Sequence, residues 1–256
     1  MTNLASFERQ EQLLRLVEQQ QRITVDEVCR AFSVSMATAR RDLEALASRG
    51  KVQRVHGGAL AVRQAPPEPP VLLRETEQAD EKRRIGATAA SLVKDGETVF
   101  VSSGTTTLEV ARHLRGVHNL TVITNSLPVI NTLAGLQDIT VVSLGGLLRH
   151  SELSFIGHLT EQALAEVSTD KVFIGIHAID IEKGLTNHYL PETMTDRAIL
   201  HIGREVIVVA DHTKCGQVST ALVAPITAMH TLVTDAGTTT EFIEALTAHG
   251  IRVVTA

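Results

Sequence analysis

Residues 23–46 read ITVDEVCRAFSVSMATARRDLEAL and carry the pattern of two short helices separated by a turn. Thr24 and Glu27 have the spacing of a capping box, which predicts that a helix begins directly after Thr24. Val28, Ala31 and Phe32 then supply an apolar stripe. Ser33-Val34-Ser35 interrupts the helical period, and its last serine is well placed to cap a second helix. A turn of about three or four residues between two helices is typical of a helix-turn-helix.

The second helix has two distinct faces. Ala39, Leu43 and Leu46 are spaced to face a core, which leaves Arg40 and Arg41 on the opposite side. A guanidinium fork matches the paired acceptors of guanine and also binds phosphate, and the start of a recognition helix is the part that reaches base edges. The predicted DNA contacts on this helix are Ser35, Ala37, Thr38, Arg40 and Arg41. The alternative interpretation of the arginine pair is a solvated helix face.

A hairpin is predicted directly after this helix. Gly50 is expected to end the helix, and residues 51–55 and 59–62 have the pattern of two strands joined by His56-Gly57-Gly58. The hairpin would make the motif a winged helix, with Arg54 and His56 near the DNA backbone.

At this point the sequence resembles the DeoR family of bacterial transcriptional repressors. The matching residues are Val34-Ser35, Thr38, Arg40-Arg41-Asp42-Leu43, Leu46, Gly50 and Val55-His56-Gly57-Gly58-Ala59. The sequence departs from the family at Ala39, where a larger branched residue is usual. The resemblance implies a repressor that binds double-stranded operator DNA.

The length and composition of the chain limit the class of protein to which it can belong. The chain has 256 residues, 43% hydrophobic and 21% charged, which is enough for one sizeable core and a small second domain. The first twenty residues include five charged side chains (Glu8, Arg9, Glu11, Arg15 and Glu18), unlike a signal peptide, and no run of about eighteen uncharged apolar residues occurs. We therefore expect a cytoplasmic protein with no membrane segment.

The sequence shows no pattern typical of a metal site or a disulfide framework. Cys29 and Cys215 are far apart, so we expect two reduced thiols. None of the eleven histidines has the His-x-x-x-His spacing or the cysteine partner typical of metal ligands. We expect no metal and no cofactor.

The charges and prolines divide the chain. Residues 1–64 hold 10 Lys+Arg against 7 Asp+Glu, a net charge of +3, and residues 65–256 hold 14 against 22, a net charge of −8, which together give −5. Positive charge therefore accompanies the predicted DNA-binding motif. Four of the seven prolines fall within residues 66–70, a composition that favours an extended spacer. We predict a winged-helix domain at 1–63, a proline-rich linker at 64–73 and an effector-sensing domain at 74–256.

The second domain has the pattern of an α/β fold. Residues 75–92 are predicted to form a long helix whose charged run, residues 81–84, faces solvent. Short apolar runs then alternate with helical segments, at 98–101, 120–124, 139–144, 172–176, 206–210, 231–234 and 252–255. Such runs predict a mostly parallel sheet covered on both faces. In open α/β sheets, ligands bind beyond the carboxyl ends of the strands.

The loops after these runs are rich in Gly, Ser and Thr. Ser102-Ser103-Gly104-Thr105-Thr106-Thr107 follows the first run and opens a helix, whose N-terminus favours an anion. No lysine follows Gly104 as in a Walker A loop, so a nucleoside triphosphate is not indicated. Lys214 is the clearest cation to offset a phosphate. The residues predicted to bind an effector are Ser103, Gly104, Thr105, Thr106, Thr107, Asn125, Ser126, Asp180, Asp211 and Lys214. For any single loop, ordinary helix capping is the alternative.

This half also resembles the sensor domain of the DeoR family, which is similar in fold to sugar-phosphate isomerases such as ribose-5-phosphate isomerase. The matching residues are Lys82, Ile85, Gly104-Thr105-Thr106, Thr124-Asn125-Ser126, Gly145-Gly146, Asp180, Gly184-Leu185-Thr186, Asp211, Lys214 and Gly216. The family usually has an aspartate where this chain has Ser102. The resemblance implies a phosphorylated sugar or polyol effector.

These patterns together predict a ligand-responsive repressor of sugar or polyol genes that is not an enzyme. The alternative is an isomerase-like enzyme fused to a DNA-binding domain, with Asp180, Asp211 and Lys214 as acid–base groups. A single DNA-binding domain of this size contacts few base pairs, so we expect a homo-oligomer, either a dimer or a tetramer, on a repeated operator.

Overall fold

The computed structural model describes residues 6–20, 22–48, 51–55, 57–61 and 69–256. The chain separates into two compact units, Met1–Arg63 and Gln64–Ala256. Gly50 and His56, which entered the sequence predictions, lie outside the described residues, as do residues 62–68.

The first unit is a winged helix. Its elements are α1 (Ser6–Gln20), β1 (Arg22–Thr24), α2 (Val25–Phe32), α3 (Met36–Ser48), β2 (Val52–Val55) and β3 (Gly58–Ala61). Strands β2 and β3 form the predicted hairpin, and β1 pairs antiparallel with β3 to make a third strand. Helix α1 and strand β1 were not predicted.

Local hydrogen bonding explains where the two helices of the motif begin. The Oγ1 atom of Thr24 accepts from the N–H of Glu27 over 3.3 Å, and the Glu27 carboxylate accepts from the N–H of Thr24 over 2.7 Å, so the predicted capping box is confirmed. The Oγ atom of Ser35 accepts from the N–H of Thr38 over 3.2 Å and caps α3.

The apolar pattern of α3 also behaves as predicted. Ala39 and Leu43 are fully buried and Leu46 nearly so, together with Val28 from α2. Ala31, which was predicted to share the apolar stripe of α2, is exposed instead.

The second unit is an α/β body. Its helices are α4 (Val71–Arg74), α5 (Ala79–Ala90), α6 (Thr105–Arg112), α7 (Leu127–Leu133), α8 (His158–Ala165), α9 (Thr193–Ile202) and α10 (Thr240–Ala248). Its strands are β4 (Thr98–Val101), β5 (Leu120–Thr124), β6 (Ile139–Ser143), β7 (Leu147–Arg149), β8 (Ser154–Ile156), β9 (Thr169–Ile174), β10 (Ala178–Asp180), β11 (Gly184–Asn187), β12 (Gly203–Val209), β13 (Ala221–Ala224), β14 (Thr231–Thr234) and β15 (Arg252–Thr255).

Within the described residues, seven strands form one sheet in the order β15-β14-β12-β9-β4-β5-β6, and every neighbouring pair is parallel. Each of the seven predicted runs supplies one of these strands, so the predicted parallel sheet is confirmed. Phe100 and Val172 are fully buried on one face of the sheet, and Phe173 and Ile207 on the other, as coverage of both faces requires. The sequence did not predict the β7–β8 hairpin or the small antiparallel sheet β10-β11-β13.

The described residues at the start of the second unit differ from the prediction. Residues 64–73 were predicted to be a linker, but Val71–Arg74 forms α4, with Val71 and Arg74 both buried. The predicted helix at 75–92 begins only at Ala79, after a run of turns. Lys82, which was predicted to lie on a solvated face, is buried.

Candidate DNA-binding helix and ligand cleft

The exposed face of α3 carries the predicted DNA contacts. Ser35, Ala37, Arg40 and Arg41 are exposed, and Thr38 is half-buried. The two arginines project from a helix whose other face is anchored in the core by Ala39 and Leu43. This arrangement leaves the guanidinium groups available to a groove, as recognition helices require.

Asp42 has a structural role that the sequence reasoning missed. Its side chain is buried and accepts hydrogen bonds from Arg9 Nε at 2.6 Å, Arg9 Nη2 at 3.2 Å and Gln10 Nε2 at 3.0 Å. Both donors belong to α1. Asp42 therefore fastens α1 against the recognition helix, and its neighbours Arg40 and Arg41 remain on the opposite face.

Arg54 lies in the wing but is engaged within it. Its guanidinium donates to the carbonyl oxygen of Gly58 and lies 3.5 Å from the carboxylate of Glu44 on α3. The described geometry thus ties the wing to the recognition helix through Arg54. A phosphate contact by this residue stays a prediction, and His56 lies outside the described residues.

A polar cleft lies at the carboxyl ends of β4, β9 and β12, which are neighbours in the sheet. Six of the predicted effector-binding residues line it: Ser103, Gly104, Thr105, Thr106, Asp211 and Lys214. The loops that carry them follow β4 and β12. The cleft is therefore where the general rule for parallel α/β sheets places a ligand site.

The loop after β4 is shaped to present backbone donors. Gly104 has φ = +126°, a backbone conformation that favours glycine, and it directly precedes α6. The N–H groups of the first helical turn have no partner within a helix, so at Thr105 and Thr106 they are available to an anion.

Four other predicted residues do not line the cleft. The hydroxyl of Thr107 donates to the carbonyl oxygen of Gly104, and the Nδ2 atom of Asn125 donates to that of Phe155. Ser126 caps α7. Asp180 accepts from the N–H groups of Glu182 and Lys183 and so holds the turn between β10 and β11.

The cleft also contains charged residues that were not predicted to bind an effector. Arg74 Nη2 lies 2.6 Å from each carboxylate oxygen of Glu152, and Arg149 is paired with Glu192. The Arg149 guanidinium also lies 4.4 Å from the ring centre of Tyr189. Further lining residues are Glu77, Lys82, His177, Asn187 and His188. Two sequence signals pointed here: the position of Lys82 in the resemblance to the sensor domain, and the place of His177 and His188 in loops after predicted strands.

Burial changes the acid–base behaviour of this region. Burial lowers the pKa of Lys82, against the opposing effect of the Asp211 carboxylate. Burial, with Glu192 nearby, raises the pKa of Asp196 well above its ordinary value. Asp196 accepts a hydrogen bond from Asn187 Nδ2 over 2.6 Å. Among the described residues, no group of three or more His, Cys, Asp or Glu side chains could hold a metal ion, and no helix is long and apolar enough to cross a bilayer.

A winged helix joined to an α/β body with a polar cleft at its strand ends defines the class of two-domain, ligand-responsive DNA-binding regulators. Comparison with known protein families gives the same class. Residues 9–65 match the DeoR-like helix-turn-helix domain, and residues 77–236 match the DeoR C-terminal sensor domain. The chain belongs to the DeoR family.

Characterised relatives align over almost the whole chain. The transcriptional repressor AccR of Agrobacterium fabrum is 35% identical over 234 residues, which is 91% of each chain. The glycerol-3-phosphate regulon repressor of Escherichia coli is 34% identical over 245 residues, which is 96% of this chain and 97% of the relative.

Solved structures overlap more loosely. Ribose 5-phosphate isomerase A from Methanocaldococcus jannaschii is 18% identical, with a TM-score of 0.41 over 54% of this chain and 55% of that one. The full-length sorbitol operon regulator SorC from Klebsiella pneumoniae is 12% identical, with a TM-score of 0.38 over 99% of this chain and 97% of that one. Overlaps at this level carry nothing about activity.

Proposed function

We propose that this protein is a repressor that binds double-stranded operator DNA through α3 and is controlled by a phosphorylated sugar or polyol bound in the cleft. The genes it regulates then belong to sugar or polyol metabolism. One observation carries the proposal: a cleft lined by the N-terminus of α6 and by Lys214 occurs in the same chain as a winged helix that exposes Arg40 and Arg41.

The cleft offers two kinds of chemistry. The start of α6 supplies backbone N–H donors, the Ser103, Thr105 and Thr106 hydroxyls add further donors, and Lys214 supplies positive charge for a phosphate. Carboxylates such as Asp211 and Glu192 provide acceptors for sugar hydroxyls. A phosphorylated polyol needs both kinds of partner within a few ångströms of each other.

The geometry favours sensing over turnover. The predicted acid–base set required Asp180 beside Asp211 and Lys214, but Asp180 holds the β10–β11 turn and does not line the cleft. Asp211 in turn accepts from the N–H of Thr213 over 3.0 Å. We therefore propose no enzymatic activity.

The proposal extends to assembly and location. Two or more DNA-binding domains related by symmetry would match a repeated operator, since one recognition helix contacts few base pairs. We propose a homo-oligomer, a dimer or a tetramer, that acts in the cytoplasm, where the operator is.

Fluorescence anisotropy on a DNA fragment from upstream of the protein's own gene tests the proposal at fixed salt. Matched compounds with and without phosphate are added, for example glycerol and glycerol 3-phosphate or glucose and glucose 6-phosphate. The same samples are assayed for isomerised product. A change in DNA affinity caused only by phosphorylated compounds, with no product, is the expected result.

Two outcomes would contradict the proposal. Formation of isomerised product with no effect on DNA binding would mean that the cleft is a catalytic site. Equal effects of phosphorylated and unphosphorylated compounds would remove the phosphate from the proposed effector.

A further inference from the structure

Two histidines lie close together in the wall of the cleft. His177 follows β9 and His188 follows β11, and both residues line the cleft. Their ring centres are 6.2 Å apart, and the ring planes are tilted by 56°. His177 is buried, whereas His188 is partly exposed. The fold thus brings two imidazoles together from different strands, and the proposed phosphate site includes neither of them.

Asn187 fixes the backbone around this histidine pair. Its Oδ1 atom accepts from the N–H of His177 over 3.0 Å, and its Nδ2 atom donates to the carboxylate of Asp196 over 2.6 Å. One amide group therefore ties the end of β9 to the end of β11 and to α9. Because contacts within the protein engage both ends of this amide, the imidazoles are the side chains that this wall offers to a ligand.

The histidine pair adjoins the proposed phosphate site but is separate from it. The phosphate donors lie at the start of α6 and at Lys214, in loops that follow β4 and β12 of the main sheet. The histidines follow β9 of that sheet and β11 of the small antiparallel sheet. A Cβ atom at Gly175 would lie 3.7 Å from the carbonyl oxygen of Ser103, so the chain passes the phosphate loop just before it reaches His177. One ligand can therefore contact both places.

The formal charges of the cleft balance without the histidines. Four cationic side chains and four carboxylates line it, and Ser102 at the end of β4 adds no charge. The cations are Arg74, Lys82, Arg149 and Lys214, and the carboxylates are Glu77, Glu152, Glu192 and Asp211. An effector with a second anionic group therefore needs positive charge that the cleft gains on binding. Among the described side chains of the cleft, the imidazoles are the ones that ordinarily change from neutral to positive near neutral pH.

We propose that the effector is a phosphorylated sugar acid, whose carboxylate is bound by His177 and His188 while its phosphate lies at the start of α6. The inference rests on the proposed function, because it names the chemical class of the ligand in the same cleft. A carboxylate only accepts hydrogen bonds, and a protonated imidazole donates from both ring nitrogens. The imidazoles take protons from the solvent as the acid binds, and no covalent bond forms or breaks.

The groups around the histidine pair give this binding a definite pH dependence. Arg149 of β7 is paired with Glu192 and lies 4.4 Å from the ring centre of Tyr189, Arg74 of α4 is paired with Glu152, and Asp196 of α9 contacts Asn187. These pairs add no net charge, so protonation of the imidazoles decides the sign. Affinity for the acid rises as pH falls from 8 to 6. A phosphate titrates near pH 6 in any such ligand, so affinities are compared between ligands that differ only in the carboxylate.

Calorimetry on the full-length protein tests the inference with two matched pairs of compounds. The first pair is glycerol 3-phosphate and 3-phosphoglycerate, both as racemates, and the second is glucose 6-phosphate and 6-phosphogluconate. Within each pair, one terminal carbon is an alcohol or aldehyde in the first compound and a carboxylate in the second. We expect the acid of at least one pair to bind about tenfold tighter at pH 7. This preference should be larger at pH 6 than at pH 8, and heats measured in two buffers of different ionisation enthalpy should show proton uptake for the acid.

Substitution of each histidine by glutamine tests its part in this preference. Glutamine keeps a hydrogen-bond donor but cannot become positive. In His188→Gln and in His177→Gln, we expect the preference for the acid to fall from about tenfold to about twofold or less, with loss of proton uptake. His118→Gln is the matched control, because His118 is 63% exposed and precedes β5, at the other end of the sheet from the cleft. If the buried His177 does not tolerate glutamine, the partly exposed His188 decides the test.

The outcomes separate this inference from the proposed function. Affinities within about twofold of each other in both pairs would overturn the sugar acid and leave the phosphate site standing. A preference for the acid that survives both glutamine substitutions would place the carboxylate away from the histidines and would also overturn the inference. If inorganic phosphate and all four compounds fail to bind, the phosphorylated effector of the proposed function is itself wrong.

Discussion

Replacing Asp42 with alanine tests how the DNA-binding unit is held together. Asp42 is 2% exposed and accepts two hydrogen bonds from Arg9 and one from Gln10, so the substitution leaves donors on α1 without their acceptor. Removing one partner of a buried ion pair costs about 3–5 kcal/mol. The Arg9 side chain keeps 12% exposure and relaxes partly into water, so we expect a loss of about 2–4 kcal/mol.

That loss is large for a unit of this size. At roughly 0.05–0.15 kcal/mol per residue, the unit Met1–Arg63 has a stability of only about 3–9 kcal/mol. With a urea dependence of about 1 kcal/mol per molar, the midpoint of its unfolding should fall by about 2 M or more. The body should be unaffected.

The chain offers a way to observe the two units separately. It contains no tryptophan and one tyrosine, Tyr189, which lies in the body, so tyrosine fluorescence in urea reports the body alone. Far-ultraviolet circular dichroism reports both units. Glu11→Ala on α1 is the matched control because the Glu11 side chain is exposed and belongs to the helix that Asp42 holds. A shift of the dichroism transition in Asp42→Ala no larger than that in Glu11→Ala would show that Asp42 does not hold the unit together.

Further predictions concern DNA, ligand and pH. Arg40→Ala should weaken operator binding by about 1–3 kcal/mol at fixed salt, and unchanged affinity in anisotropy titrations would remove α3 as the recognition helix. Lys214→Ala should weaken calorimetric binding of glycerol 3-phosphate while ligand-free operator affinity stays near that of the wild type; equal ligand affinity would exclude the lysine from the site. Because the folded state raises the pKa of Asp196, it holds that proton more tightly than the unfolded chain does, and the wild type loses stability as pH rises above about 4. We therefore expect the Tm of Asp196→Asn, relative to the Tm of the wild type, to rise by about 2–6 °C between pH 4 and pH 7. If the difference between the two Tm values does not change with pH, Asp196 is charged in the folded protein.

Local patterns predicted most of the fold. The capping box at Thr24 and the apolar spacing of Ala39, Leu43 and Leu46 are properties of neighbouring residues, and the structure confirms both. The seven strands were predicted for the same reason, since each is a short apolar run between turns. By contrast, β7 and β8 are three-residue strands with no clear period, and Phe155 in β8 is held by hydrogen bonds with Asn125, thirty positions away.

The residues of the cleft were predicted only in part, because the local sequence does not show which charged side chains are buried in the folded protein. Lys82 lies within a run of five charged residues, 80–84, and its burial and its contact with the Arg74 carbonyl distinguish it from its neighbours. The Arg74–Glu152 pair joins residues 78 positions apart. Asp180 was predicted to lie at a strand end and bind the effector, but its carboxylate accepts hydrogen bonds from the backbone of the following turn.

The proposed function requires that ligand binding in the cleft and DNA binding by the winged helix are thermodynamically coupled. Calorimetric titration of glycerol 3-phosphate into the free protein and into the protein saturated with operator DNA tests it most directly. If the ligand changes operator affinity by some factor, operator must change ligand affinity by the same factor. We predict different ligand affinities for the two forms, in that ratio. Equal affinities for the free and the DNA-bound protein would contradict the coupling, and with it the proposal that the cleft regulates DNA binding.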